Sequence, residues 1–372
     1  MNVALVYDRV NKWGGAERVL LALHAMWPEA PLFTAVYDKK NARWADVFSV
    51  HPSFLQRIPF TLNAHESLPL LTPIAFESFT FDEYDVVISV TSAEAKDIIT
   101  KPDTIHICYC LTPTRYLWSS YEQYQTRPGL GKISGIAATA LKLTAPTLRA
   151  WDLVAASRPD YYVAISERVK DRITAYYSRD VSLVIPPPVD TKKFTLRKST
   201  PGNDAYFLTV SRLVSYKRLD VIIRAFNILG LPLVIIGTGR QKKELMKLSR
   251  PNIQFIDRHL TDSELVRYYE GCRAFVFAAD EDFGLAAAEA QSMGIPVISY
   301  RYSGISEIVK DGVSGVLFDS QTPESLIQAV KKFSIKTWKS DLCRNQAQNV
   351  SEYKFRERML QFVASVAPNK TV

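Results

Sequence analysis

Two acids, Glu281 and Glu289, bracket the segment of this chain best suited to chemistry. The apolar run Ala274 to Ala278 reads as a strand, the acidic turn Asp280-Glu281-Asp282 follows, and an alanine-rich helix opens after Phe283-Gly284 at Leu285. In a parallel sheet that order sets the turn at the carboxyl edge of a strand, where ligands bind. The N–H groups of the helix start, around Phe283 to Leu285, form an anion site. Glu289 lies about one turn into the helix and can face the same crevice as Glu281, so the two carboxylates would hold hydroxyl groups on either side of a diphosphate. Acids near a helix start also stabilise its dipole, and the segment alone supports both readings.

Other segments add cations and glycines at matching places. Ser211-Arg212-Leu213-Val214-Ser215-Tyr216-Lys217 directly follows a strand-like run. Arg212 and Lys217 would therefore emerge at the same edge, where they can neutralise a diphosphate and the charge it develops on leaving. Basic loop residues in water are the plainer alternative. Gly14-Gly15, between the first strand-like run and a helix-like stretch, lets backbone approach a ligand at a helix start. Gly237-Thr238-Gly239 follows another strand-like run. Each glycine pair alone is no more than a turn signal.

The elements that must position these groups alternate along the whole chain. Val3 to Tyr7, Val86 to Ser89, Thr104 to Cys110, Tyr161 to Ala164 and Leu183 to Ile185 are short and rich in β-branched or aromatic residues. Amphipathic stretches such as Ala16 to Trp27 and Ser166 to Tyr176 separate them. The pattern restarts at Tyr206 to Val210 and continues through Val234 to Ile236, Ile253 to Ile256, Ala274 to Ala278, Val297 to Ser299 and Gly315 to Phe318. Apolar strands alternating with helices predict an α/β chain of two doubly wound parallel sheets, covered on both faces. The 372 residues suit two domains. The junction falls at Pro186-Pro187-Pro188 through Asn203, where prolines block helix and ladder and a hinge could sit. Glu352 to Val366 has a helical period, with Phe355, Met359 and Phe362 on one face.

No apolar run approaches the roughly 20 residues of a membrane span. The N-terminus goes straight into a strand-like run, which with four scattered cysteines suggests a reducing cytoplasm. The net charge is +8, and residues 101–200 hold fifteen Lys/Arg against eight Asp/Glu. That bias suits an anionic partner such as membrane lipid or a phosphorylated substrate, or else a solvated basic surface. No recognition motif argues for nucleic acid. His106, Cys108 and Cys110 share one strand face, but their spacing is not that of a structural zinc site. A hydrogen-bonded core role suits His106. Asp8, at the end of the first strand, reads as a solvated or capping residue.

Taken together, in order and spacing, the motifs resemble those of the family 4 retaining glycosyltransferases, which have the GT-B fold. They comprise Gly14-Gly15, Ser211-Arg212-Leu213 with Lys217, Gly237-Thr238-Gly239, Glu281 with Glu289, Gly294-Ile295-Pro296-Val297, Ser303-Gly304 with Glu307-Ile308-Val309, and Asp311-Gly312 with Gly315. Cys110 with Thr112-Pro113-Thr114-Arg115-Tyr116-Leu117-Trp118 is similar to the mannosyltransferase-type branch of surface polysaccharide assembly. The resemblance implies two Rossmann-like domains facing a cleft: an acceptor domain over 1–190, a nucleotide-sugar domain over 200–345, and a C-terminal helix over 350–372 returning to the first. It implies that Arg212 and Lys217 hold the donor diphosphate, Glu281 contacts the transferred sugar and Glu289 contacts the ribose. Gly14, Gly15 and Gly237 would lie near phosphate, the backbone of Phe283, Gly284 and Leu285 against sugar and phosphate, and Asp257, Arg258 and Leu260 near the base.

No metal and no cofactor is implied beyond the nucleotide-sugar co-substrate, expected to be GDP-mannose, with a UDP-sugar as the alternative. No covalent carboxylate is implied, and domain closure would exclude water. The acceptor, a saccharide or a lipid-linked one at the cytoplasmic membrane face, would meet Phe54 to Phe60, Trp118 to Tyr124 and Leu130 to Arg149, although Ile133 to Leu148 also reads as a core helix. One position departs. Leu111 stands where this branch commonly has His, and leucine relays no proton. A donor-binding protein with impaired turnover is therefore the other reading.

Overall fold

A computed structural model describes residues 1–58, 70–126, 134–199, 201–202, 204–258 and 260–368. Parts of three segments expected to meet an acceptor (59–60, 130–133 and the side chains of 123–124) lie outside the described residues. The chain divides into two compact units, one of Met1–Pro187 with Phe355–Val372 and one of Pro188–Lys354.

Among the described residues the first unit has seven parallel strands: β1 (Val3–Tyr7), β2 (Leu32–Thr34), β3 (Val50–Pro52), β4 (Val86–Thr91), β5 (Ile105–Cys110), β6 (Tyr161–Ala164) and β7 (Leu183–Val184). Their order is β3-β2-β1-β4-β5-β6-β7. The sequence reading did not find β2 and β3. Each has three residues, β2 follows Pro31 and β3 ends in Pro52. A proline in a ladder is tolerated at a sheet edge, which is where β3 lies. Helices α1 (Gly15–His24), α2 (Ser134–Ala156) and α3 (Glu167–Tyr177) belong to this unit. Ser166 caps α3 by accepting from the Val169 N–H.

The helix α2 is not simply a core helix. Ala145, Leu148 and Ala155 are buried, while Leu143 is 75% exposed and Val154 58%. The C-terminal helix, Glu352–Val366, sets Phe355 edge-on to Tyr109 with ring centres 5.8 Å apart, and Phe362 edge-on to Tyr161 at 5.9 Å. These contacts place it in the first unit although it is last in the chain.

His106 is fully buried on β5, its Nε2 2.9 Å from the Ser89 hydroxyl on β4. Burial, helped by the Arg158 charge, pulls its pKa down to about 3. The unfolded chain would take a proton near pH 6.5 and the folded chain would not. Stability therefore falls as pH drops from about 6.5 toward 3, by up to roughly 1.4 kcal/mol per pH unit from this group. Denaturant titrations of wild type and His106→Gln across that window check this: the variant should lose part of the slope.

Among the described residues the second unit has six parallel strands: β8 (Phe207–Val210), β9 (Leu233–Ile236), β10 (Ile253–Ile256), β11 (Ala274–Phe277), β12 (Val297–Tyr300) and β13 (Gly315–Phe318). Their order is β10-β9-β8-β11-β12-β13. Both sheets thus reverse direction beside their own first strand, between β1 and β4 and between β8 and β11, in the Rossmann manner. At such a switch point the crossovers leave toward opposite faces, and a crevice opens at the carboxyl ends. Helix α4 (Leu219–Leu229) buries Leu219, Val221, Ile222, Ile223 and Phe226 against Phe207, Ile235 and Phe333. Each such side chain contributes about 1.5–3 kcal/mol by leaving water. Helix α5 (Asp262–Glu270) starts from a capping box between Thr261 and Glu264.

Candidate functional site

The switch point of the second sheet brings together two residues singled out from the sequence. Lys217 leaves the carboxyl end of β8 through a short 3₁₀ turn, Ser215–Lys217, and Glu281 follows β11 on the neighbouring strand. The Lys217 ammonium and the Glu281 carboxylate form an ion pair. Their side chains keep only 11% and 16% of their exposure, so the pair is partly shielded from water. The ammonium also lies over the rings of Tyr216 and Phe277, 5.2 and 5.3 Å from their centres. Cation–π attraction of this kind holds a lysine in one place rather than letting it sweep through solvent.

Arg212 is exposed one loop earlier, its guanidinium donating to the Tyr216 hydroxyl and 5.8 Å from that ring centre. Tyr216 thus touches both cations. Sequence reasoning passed over it, although its place next to Lys217 was the available signal.

Backbone packing fixes these loops. Gly237 has a φ of +150°, and a Cβ there would lie 1.9 Å from the Ser211 carbonyl oxygen. The Leu213 N–H donates to the Thr238 carbonyl at 2.8 Å, and the Gln241 N–H to the Leu213 carbonyl at 3.0 Å. The loop after β9 is therefore pressed against the loop carrying Arg212, and no side chain fits between them. The acidic turn has its own support: the Gly304 N–H donates to the Glu281 carbonyl at 2.7 Å, and the Glu281 N–H to the Ser303 hydroxyl at 3.4 Å.

Gly284 then opens helix α6 (Leu285–Ser292) with a φ of +96° and no side-chain cap. A Cβ at Gly284 would meet the Ile305 side chain at 2.3 Å, so the helix start is bare and close to its neighbour. Phe283 is buried, and Leu285 is half-buried.

Glu289 differs from the expectation that it would face the same crevice as Glu281. Residues Ala287 to Ser292 are all buried, only the first turn at Leu285 and Ala286 is half-buried, and Glu289 is 3% exposed. Its carboxylate accepts from the Tyr269 hydroxyl at 2.9 Å. Only Glu281 keeps a solvent-facing portion. Tyr269 carries no signal in the sequence that links it to Glu289, 20 residues away on another helix.

Asp257, Arg258 and Leu260 follow β10 at the sheet edge. Asp257 is exposed and paired with Lys242, whose hydrogen bond holds the carboxyl below its ordinary range. Arg258 pairs with Glu264 at 2.6 Å. Neither residue contacts the Lys217–Glu281 pair among the bonds described.

Gly14 and Gly15 belong to the first unit, at the carboxyl side of β1, where Gly15 begins α1 and Gly14 precedes it in extended backbone. Glu17 in the first turn is buried and accepts from the Tyr7 hydroxyl at 2.7 Å.

Asp8 corrects the alternative of a solvated residue. It is buried and bridges the switch point of the first sheet, accepting from the Thr91 hydroxyl at 2.7 Å, the Ser92 N–H at 2.8 Å and the Ala95 N–H at 2.9 Å. Leu111, half-buried just beyond β5, donates its N–H to the Thr91 carbonyl at 2.8 Å.

Comparison with known proteins matches residues 191–353 to the family described as glycosyl transferases group 1. Among curated relatives, a D-inositol 3-phosphate glycosyltransferase of Actinosynnema mirum is 27% identical over 281 residues, 66% of this chain and 67% of that protein. The O-antigen chain mannosyltransferase C of Escherichia coli is 27% identical over 221 residues, 55% of this chain and 56% of its own. Two further D-inositol 3-phosphate glycosyltransferases are matched over 49% and 41% of their length, so the chain spans about half of most of these relatives.

Among solved structures, the sucrose-phosphate synthase of Thermosynechococcus elongatus aligns over 100% of both chains with a TM-score of 0.73 at 14% identity. The Anabaena protein HepE, solved with UDP-glucose, aligns over 98% of this chain and 100% of its own with a TM-score of 0.70 at 15% identity. These likenesses show the fold: two Rossmann-like α/β units of GT-B type.

Proposed function

We propose, with residues 191–353 a glycosyl transferases group 1 domain, that the protein transfers a hexose from a nucleotide-sugar donor to a saccharide or lipid-linked acceptor. The observation that carries this reading is the Lys217–Glu281 pair at the β8/β11 switch point. A diphosphate arriving there offers Lys217 a stronger anion than one carboxylate, and Arg212 a second contact. Glu281, released from the ammonium, can then accept from hydroxyls of the transferred sugar.

As the bond to the diphosphate breaks, negative charge builds on the leaving oxygen, and the two cations with the bare start of α6 stabilise it. We assign the base contact to Asp257, Arg258 and Leu260, and the ribose contact to Glu289 on the condition that its buried carboxylate exchanges the Tyr269 hydroxyl for one of the ribose. Gly14 and Gly15 are assigned to backbone approach to phosphate. No cofactor enters this scheme. GDP-mannose is our donor assignment, supported by the likeness of Cys110 to Trp118 to the mannosyltransferase-type branch and by the E. coli relative. A cytoplasmic setting and an acceptor at a membrane face are supported by the exposed Leu143 and Val154 of α2 and by the basic bias of residues 101–200.

Leu111 supports a second reading, donor binding with impaired turnover. Both are tested by incubating the protein with GDP-mannose, UDP-glucose and UDP-N-acetylglucosamine and measuring nucleoside diphosphate release. Release from GDP-mannose at least tenfold faster than from the UDP-sugars is expected. Binding of a donor with no release from any would establish the second reading, and a Leu111→His variant that gains release would locate the defect.

A further inference from the structure

Four aromatic rings form a ladder through the first unit. His24 stacks tilted on Phe48 with centres 4.6 Å apart, Phe48 meets Trp44 edge-on at 6.1 Å, and Trp44 meets Trp13 at 6.3 Å and 57°. The ladder runs from half-buried His24 through Phe48, which is 8% exposed, and ends at Trp13, which is 45% exposed. Leaving a large indole in water forfeits much of what burying it would contribute, so a ladder that conducts from core to surface and ends on an open ring needs a reason.

Its position supplies one. Trp13 lies on the loop that leaves the carboxyl end of β1, next to Gly14 and at the switch point of the first sheet, where open parallel sheets take ligands. The loop is held in place. The Trp44 indole N–H donates to the Lys12 carbonyl at 2.7 Å, and Asp8 ties the loop's beginning to the residues after β4. The exposed ring thus packs on a neighbour that is itself tied to the backbone of the same loop.

We propose that Trp13, backed by Trp44, is a stacking platform for a pyranose ring of the saccharide acceptor. A pyranose has one face lined with axial C–H bonds. These carry a slight positive charge and pack flat against the negative face of an indole, while the hydroxyls around the ring rim stay in water. An indole at 45% exposure offers such a face, and a preorganised ring costs little entropy on binding. The proposal rests on the reading of the protein as a glycosyltransferase, since that reading makes the ligand of the first unit a sugar.

The test uses the full chain and methyl β-D-mannopyranoside, methyl β-D-glucopyranoside and methyl β-D-galactopyranoside, whose C1–H, C3–H and C5–H share one axial face, as probes, with saturation-transfer NMR for saccharide binding and calorimetry for GDP-mannose. Wild type should bind at least one probe through its ring C–H protons. Trp13→Ala should weaken that binding at least tenfold, Trp13→Phe should restore most of it, and neither change should alter donor affinity, which shows that the chain stays folded. Equal saccharide binding by wild type and Trp13→Ala would overturn the platform, as would donor binding by a wild type that takes none of the probes. Saccharide binding that depends on Trp13, in a protein that binds no nucleotide-sugar, would instead leave the platform standing and sink the donor assignment.

Discussion

Lys217→Ala will lower sugar transfer from the preferred donor at least tenfold and weaken donor binding. A hydrogen bond between a charged amine and a phosphate oxygen is worth about 1.5–3 kcal/mol, which corresponds to a factor of roughly ten to one hundred and fifty. The difficulty is that Lys217 already has a partner, so its loss could act by unsettling Glu281. The two routes separate in a double-mutant cycle. If the pair is only a structural ion pair, Lys217→Ala and Glu281→Gln should each cost little stability, because a partly exposed pair contributes about 1 kcal/mol or less, and the double variant should be no worse than either single one.

If instead each residue contacts the donor, the single variants should differ in kind. Lys217→Ala should raise KM and lower kcat together, since diphosphate charge is present before and grows during bond breaking. Glu281→Gln should fall mainly in kcat. The double variant should then fall below both singles. Wild-type kinetics in Lys217→Ala would show that the lysine is only a structural partner of Glu281.

The legibility of this site in the sequence followed the range of each interaction. Strand β11, the acidic turn and helix α6 are contiguous, so Glu281 and Gly284 could be placed from a single window. Lys217 was placed because β8 precedes it directly and its order in the chain fixes which edge it leaves. That Lys217 and Glu281 touch, 64 residues apart, depends on β8 and β11 being neighbours, which is a property of the sheet order.

Glu289 shows the reverse case. Its residue type and spacing suggested a carboxylate facing the crevice, but beyond its first turn the helix carrying it is buried, and the Glu289 carboxylate is turned to Tyr269. The same lack of local signal hid Tyr269, Asp8 and the short strands β2 and β3. Their partners come from elements far away in sequence, or their length is too small to show a period.

Asp152→Ala will destabilise the protein by about 3–5 kcal/mol, because it strands a buried ammonium. Lys96 is 1% exposed in the first unit, and its Nζ lies 2.5 Å from Asp152 Oδ1, 3.4 Å from Asp97 and 2.7 Å from the Ala93 carbonyl. Burial pulls the lysine's pKa down, but Asp152, Tyr177 and Asp97 outweigh it and hold the ammonium well above its ordinary value. Asp97 moves up, since burial acts on it more strongly than the Lys96 charge does. Asp152 is therefore the carboxylate on which the charge depends.

Asp152 also takes the Thr114 hydroxyl at 2.7 Å and the Trp118 indole N–H at 2.6 Å, so it ties down both ends of the segment from Thr114 to Trp118. Loss of all three bonds at once should lower the thermal midpoint by on the order of 10 °C for a chain of this size. Removing the charge together with its partner should cost less. A Lys96→Met, Asp152→Leu double variant removes both charges and leaves the Trp118 N–H without its acceptor, while the Thr114 hydroxyl keeps the Ala93 carbonyl at 3.3 Å, and it should recover much of the lost stability. A double variant as unstable as Asp152→Ala alone would mean that the neutral hydrogen bonds, and not the ion pair, govern this part of the fold.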